Sequence, residues 1–307
     1  MEKKELAEIL QARLPYYLQE YDIDKIQVNE VLKENGIVLT GLSILCRDEN
    51  VAPCIYIEGW HERLEAGNAS LETVLQGIRD EYIGARQNTI GANIHFNLQE
   101  MKDNIFIKAV NYDKNRELLN SCPHIRKADL AVTFRVLVNM SGEGMASALI
   151  DNAMFEQLDM SRSELYDLAK ENSVRLFPAR VTPLGSMLQM MLDTRELPDT
   201  PGLYVLTNDR GINGAGCMFY DGMLDNARKK IGDFYILPSS IHEVLLLKKE
   251  ASMQPEELRC MVREINTAVV DEKEVLSDSV YEYDANTREL SIAAGRDNPE
   301  KEISREF

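Results

Sequence analysis

The longest wholly apolar runs in the 307-residue chain are only a few residues, such as Val244 to Leu247. A membrane-crossing helix needs roughly 20 in a row, so a transmembrane segment is excluded. The opening MEKKELAEIL has no apolar h-region and no small-residue cleavage site, and the expected location is the cytoplasm. Cysteine is sparse, odd in number and scattered (Cys46, Cys54, Cys122, Cys217, Cys260), with no Cys-x-x-Cys pair. That argues against a disulfide framework and for free thiols acting as small hydrophobes. None of the four histidines, His61, His95, His124 and His242, stands at zinc spacing from another His or a Cys, so no metal is expected. Basic residues are also short: 34 Lys and Arg against 51 Asp and Glu leave a net charge of −17. Phosphate contacts need clustered Lys and Arg, so nonspecific nucleic-acid binding and an anionic membrane surface are both disfavoured. Much of the acidic excess lies late in the chain, where residues 250–307 hold 15 acids against 7 bases.

What is present is the composition of an ordinary folded protein, 44% hydrophobic and 28% charged. Leu6, Ile9, Leu10, Leu14 and Tyr17 fall at helical spacing, with Arg13 inside the same face and Pro15 a candidate kink. Strand-like runs follow at Lys25 to Leu32, Ile37 to Cys46 and Pro53 to Ile57, the first two joined by Asn35-Gly36, a hairpin signal. Arg47 to Asn50 supplies the second turn of a meander. A helix from about Leu71 to Tyr82 comes next, then strands at Ile105 to Val110 and Leu130 to Val138. Ala146 to Ile150 reads either as a strand or as a helix start. Ser161-x-x-Glu164 forms a capping box, and a Met-rich helix follows from about Pro183. Gly202 to Thr207 and Gly216 to Tyr220 read as a hairpin. Asp221 is expected to cap a helix stopped by Gly232, ahead of short strands at Phe234 to Leu237 and Glu243 to Leu247. Pro255 opens a helix with Leu258, Met261, Val262, Ile265 and Val269 on one side. A last hairpin turns at Ala285-Asn286. The expected fold class is α+β: an N-terminal helix, antiparallel meander and helix, then a second mixed α+β half. The expected divisions are 1–158, 159–294 and a charged, disordered tail at 295–307.

The search for chemistry yields few constellations. Gly211-x-x-Gly214-x-Gly216 runs opposite to the dinucleotide fingerprint and lacks a phosphate loop's Lys-Ser/Thr, so no cofactor is expected. His61-Glu62 begins like a zinc-protease motif, but Glu65 stands where the second histidine belongs. No Gly-x-Ser-x-Gly elbow is present. Ser240, His242 and Glu243 are the groups of a hydrolytic triad, yet neighbours in a strand point to opposite faces, and Ser240-x-x-Glu243 also reads as a capped turn. Asp209 and Arg210 at a loop tip, and Trp60, the single tryptophan, are candidates for partner binding.

The run Gly216 to Lys249, with PSSIHEV inside it, and the later VLSDSVYEYD together resemble the C-terminal part of an uncharacterised bacterial family, a domain of unknown function common in anaerobic gut bacteria. The resemblance extends to SRSELYDLAKENSVRLFP and to the N-terminal meander. It implies a fold and cytoplasmic members whose genes often lie in mobile elements. It implies no activity and no catalytic residue. The reading from residues and resemblance together is a non-enzymatic interaction or accessory protein with a protein partner. The alternatives are a hydrolase using His242 or His61 with Glu62, and an acidic DNA mimic.

Overall fold

The computed structural model describes residues 1–47, 52–89, 97–141, 144–192, 201–238, 240–250 and 254–294. Expectations for the turn at 48–50, His95, Ser239 and the tail at 295–307 lie outside those residues. The chain forms two compact units, Met1–Asn97 with Val138–Ser147, and Leu98–Leu137 with Ala148–Phe307. The fold class is α+β, as expected. The expected seam at 158 falls inside the second unit, where Leu158 shares a core with Leu165 and Ala169.

In the first unit, α1 (Lys3–Tyr17) precedes the antiparallel meander of β1 (Ile23–Leu32), β2 (Val38–Cys46) and β3 (Cys54–Tyr56). Helices α2 (Glu58–Glu65) and α3 (Leu71–Thr89) follow. Asn35 and Gly36 both take positive φ, +59° and +75°, which is why Asn-Gly closes the first hairpin. Pro15 lies within α1, which continues to Tyr17. The helical stripe Leu6, Leu10 and Leu14 meets Ile26, Leu42 and Ile44 from the sheet and Val74, Leu75, Ile78 and Tyr82 from α3. One face of the meander is thereby covered by helices.

The second unit begins with β4 (Ile105–Asn111), α4 (Arg116–Asn120), β5 (His124–Lys127) and the first part of β6 (Leu130–Ser141); the end of β6 and most of β7 (Gly144–Leu149) fall in the Val138–Ser147 segment of the first unit. β6 lies between β4 and β5 and also pairs with β7. Ala146 to Ile150 is thus mostly strand, and His124 opens β5. Helix α5 (Asn152–Glu156) is capped by Asp151, and α6 (Arg162–Leu176) starts with the expected Ser161–Glu164 box. Then come β8 (Ala179–Pro183), α7 (Leu184–Leu192), β9 (Leu203–Asn208), a 3-10 turn over Gly214–Phe219, α8 (Met223–Ile231), β10 (Phe234–Leu237), β11 (Val244–Lys248), α9 (Pro255–Ala268), β12 (Val280–Asp284) and β13 (Glu289–Ala294). The six strands from β8 to β13 form one sheet in the order β13-β12-β10-β11-β9-β8. All its pairings are antiparallel, so the sheet is not mixed in strand direction.

Two expectations fail here for a physical reason. Gly216 to Tyr220 is no strand: β9 pairs with β8 and β11, and Gly214–Phe219 coils as a buried 3-10 turn. A Cβ on Gly214 would sit 2.2 Å from Thr207 Oγ1 and 2.5 Å from the His242 carbonyl oxygen, so glycine lets this turn press against the end of the sheet. Asp221 does not cap α8. Gly222, with φ +70°, holds the N-cap position, and the Asp221 carboxylate accepts from Lys170 Nζ at 2.8 Å. Gly232 does end α8 at φ +90°.

The six-stranded sheet buries both faces by simple alternation. Ile236, Val244, Leu246 and Tyr281 point into the main core with Phe134, Leu165 and Leu206. Val280, Tyr235, Leu237 and Leu247 meet Leu258 and Val262 of α9 on the other side. In the smaller sheet β4 is an edge strand, and its Ile107 N–H donates to Ser173 Oγ of α6 at 2.9 Å, which blunts that edge.

Candidate functional site

The residues singled out from sequence fall in three places. In the first unit His61 lies on α2, with Nε2 2.8 Å from the Met1 carbonyl oxygen and 3.8 Å from Glu65 Oε1. Glu62 is exposed one position on, and consecutive helical residues do not face each other. His61 and Glu62 are therefore not brought together. Trp60 packs within the unit: its Nε1 donates to Glu81 Oε2 at 3.0 Å and its six-membered ring lies against Gly77, where a Cβ would approach within 2.1 Å.

In the second unit Ser240, His242 and Glu243 form a turn rather than a triad. Ser240 is 6% exposed. Its hydroxyl donates to Glu243 Oε1 at 3.0 Å and accepts from the His242 backbone N–H at 3.0 Å. The imidazole is turned elsewhere. Its Nδ1 accepts from the Asn213 backbone N–H at 3.2 Å, which assigns the proton of the neutral ring to Nε2, and Nε2 lies 3.6 Å from Glu274 Oε1. The His242 carbonyl accepts from Thr207 Oγ1 at 2.8 Å. Serine and imidazole thus serve different neighbours, as Ser240-x-x-Glu243 capping anticipates. Nearby Cys217 is fully buried, and burial pushes its thiol up to about 12, so it stays protonated at neutral pH and is a poor nucleophile.

Asp209 and Arg210 are exposed at the loop tip. The Asn208 side chain builds that loop, accepting from the Arg210 N–H at 3.0 Å and donating to the Ile212 carbonyl at 2.8 Å. Among the described residues no group of three or more His, Cys, Asp or Glu is placed to hold a metal ion.

Two features escape the sequence reading. The first is a polar clamp. Asp129 accepts from Tyr281 Oη at 2.6 Å, Ser277 Oγ at 2.7 Å and Ser279 Oγ at 2.8 Å, so alternate residues of VLSDSVYEYD converge on one carboxylate. The Tyr281 hydroxyl is held well above its ordinary pKa by burial first and by the Asp129 charge second. The second is α9. Leu258 and Val262 are buried, whereas Met261, Ile265 and Val269 are 58%, 49% and 79% exposed at i, i+4 and i+8. The five apolar residues expected on one side therefore span two faces, one packed and one open. The width of that apolar arc was the available signal. On the open side the stripe is flanked by exposed Glu257 and Glu264.

No curated protein and no solved structure matches the chain. A family does match, over a span that takes in the meander, the PSSIHEV turn and the whole clamp. Its residues 3–285 match DUF5688, and the chain belongs to that family of unknown function.

Proposed function

We propose that the chain is a non-enzymatic accessory protein of the cytoplasm that docks a basic protein partner on the open face of α9. The observation that supports this is the stripe Met261, Ile265 and Val269, three large apolar side chains left in water beside a packed face of the same helix. Glu257 and Glu264 along its flank favour a partner with an apolar patch rimmed by Lys or Arg, and the net charge of −17 steers such a partner in and repels a second copy. The hydrolase reading draws less support, because Ser240 and His242 are engaged with different partners. Nucleic acid and membrane remain poor ligands for this charge balance, and no helix among the described residues is long and apolar enough to cross a membrane.

The test compares capture from the native cytoplasm by the full chain and by a Met261→Lys, Ile265→Lys double variant. A stoichiometric basic protein retained by the first and lost by the second supports the proposal. A partner held equally by both, no partner at all, or a self-associated dimer that the double variant disrupts overturns it.

A further inference from the structure

Independently of α9, we propose that the second unit binds a small anion carrying a planar ring, of about nucleoside-monophosphate size, in the cleft between the β5–β6 hairpin, α6, the start of α8 and the β12–β13 hairpin. The cleft encloses about 760 Å³, within the roughly 300–1,000 Å³ usual for small-ligand sites.

Its charge balance departs from that of the molecule. In a chain of net −17, four cations line it against three acids. Two of the acids are engaged locally, and the third, Glu289, is exposed. Asp221 pairs with Lys170 at 2.8 Å, and Asp225 accepts from Tyr283 Oη at 2.9 Å and lies 3.7 Å from Arg288 Nε. Lys127 differs: among the described residues it pairs with no carboxylate, and its Nζ lies 5.9 Å from the centre of the Tyr166 ring. Lys170 approaches the same ring at 4.7 Å. Two ammonium groups thus flank one half-buried aromatic ring at the cleft wall, with Phe219 and Tyr283 also lining it. A neighbouring cleft shows the contrast, since its Arg228 and Lys249 are matched by Asp233 at 2.5 Å and Glu282 at 2.6 Å.

The backbone at Lys127 is held in place. It ends β5 beside the two-residue turn Ala128-Asp129, and Asp129 is the carboxylate gripped by Ser277, Ser279 and Tyr281. Cations anchored beside aromatic surface suit an anionic head joined to a flat ring, the head meeting Lys127 and Arg288 and the ring lying against the aromatic wall.

Calorimetric titration of the full chain with adenosine 5′-monophosphate, adenosine, inorganic phosphate and 1-naphthoate tests this. Binding of the nucleotide, with adenosine and phosphate each weaker, supports a phosphate head. Binding of 1-naphthoate alone supports a carboxylate head on the same ring. Lys127→Glu should weaken whichever ligand binds by about tenfold or more. If that variant fails to fold, Arg288→Glu, at a side chain 78% exposed, should weaken it about fivefold. The proposal is overturned if neither planar anion binds at millimolar concentration, if adenosine or phosphate binds as well as the nucleotide, or if the charge reversals leave binding unchanged.

Discussion

PSSIHEV and VLSDSVYEYD look alike on paper, each a short run of serines and acids beside apolar strand residues. Their polar groups do different work. In the first, Ser240 bonds Glu243 and the His242 N–H, all within three residues. In the second, Ser277, Ser279 and Tyr281 reach a carboxylate 148 to 152 positions away. The difference follows from geometry. Both runs satisfy some of their own backbone, the Ser279 N–H donating to Ser277 Oγ at 2.9 Å as the His242 N–H does to Ser240, but only from Ser277 into β12 do alternate side chains also converge on one distant acceptor. The run that resembles a catalytic triad is local scaffolding, and the run that resembles plain strand ties the second unit together.

The sharpest way to break this comparison is Asp129→Ala. It leaves three hydroxyls without an acceptor at residues that are 1%, 4% and 0% exposed, and the expected loss is about 3–5 kcal/mol of the second unit's stability. Chemical denaturation followed by circular dichroism measures it. A loss under about 1 kcal/mol would reduce the clamp to the standing of an ordinary turn bond. Next in size is Gly214→Ala, which attacks the PSSIHEV side. The new methyl meets Thr207 Oγ1, the His242 carbonyl and, at 2.8 Å, the Asn208 nitrogen, none of them the end of a flexible chain. About 2–3 kcal/mol should be lost.

What was legible beforehand follows the same division between local and distant. Asn35-Gly36, the Ser161–Glu164 box, Pro255 at the first turn of α9 and Gly232 after α8 were all readable, because each is settled by a few neighbouring residues. Strand β5 was not. Its hairpin turns on Ala128-Asp129 with Ala128 at φ +57°, where a sequence rule looks for Asn-Gly. The long-range grip on Asp129 holds a turn that local preference would not choose. Gly216 to Tyr220 reads as a strand but coils with Gly214–Phe219, because a short apolar run suits a buried strand and a buried coil equally. On α9, periodicity identified the apolar residues but could not say which of them the sheet would cover. The candidate site residues were legible as chemistry and not as geometry: Ser240 and His242 are two positions apart in sequence yet directed to different partners.

Alkaline pH separates the two runs by a smaller margin. The folded-state pKa of Tyr281 lies well above the ordinary 10.0. The unfolded chain therefore releases this proton first as pH rises. The contribution of Tyr281 is complete below pH 10 and is lost above it, by about 1.4 kcal/mol per unit until the folded group also ionises. Buried Cys122 and Cys217, pushed up to about 11 and about 12 from 9.0, add a fall of the same sign. Comparing the chain with Tyr281→Phe at pH 9 and pH 11 cancels the thiols. The variant should be the less stable at pH 9, through its lost bond to Asp129, and should lose about 1.4 kcal/mol less over that interval. Equal slopes would mean that Tyr281 is not protected from ionisation.

The smallest expected effect bears most directly on function. Ser240→Ala removes the bond to Glu243 and the acceptor for the His242 N–H, which should cost about 1 kcal/mol. Glu243→Gln should cost less, because the amide oxygen can still accept from the hydroxyl. If the pair is only a turn, the double variant should show a coupling of about 0.5–1 kcal/mol in stability, and capture of the α9 partner should be unchanged. If instead Ser240→Ala is thermodynamically silent while it abolishes a hydrolytic activity of the native protein, the serine is a nucleophile despite its burial. His242→Gln then discriminates further. As a turn residue His242 offers Nδ1 as acceptor for the Asn213 N–H, a role the glutamine side-chain oxygen can fill, and a partly exposed Nε2 3.6 Å from Glu274 Oε1, so stability should shift by less than about 0.5 kcal/mol. As a base it has no such substitute.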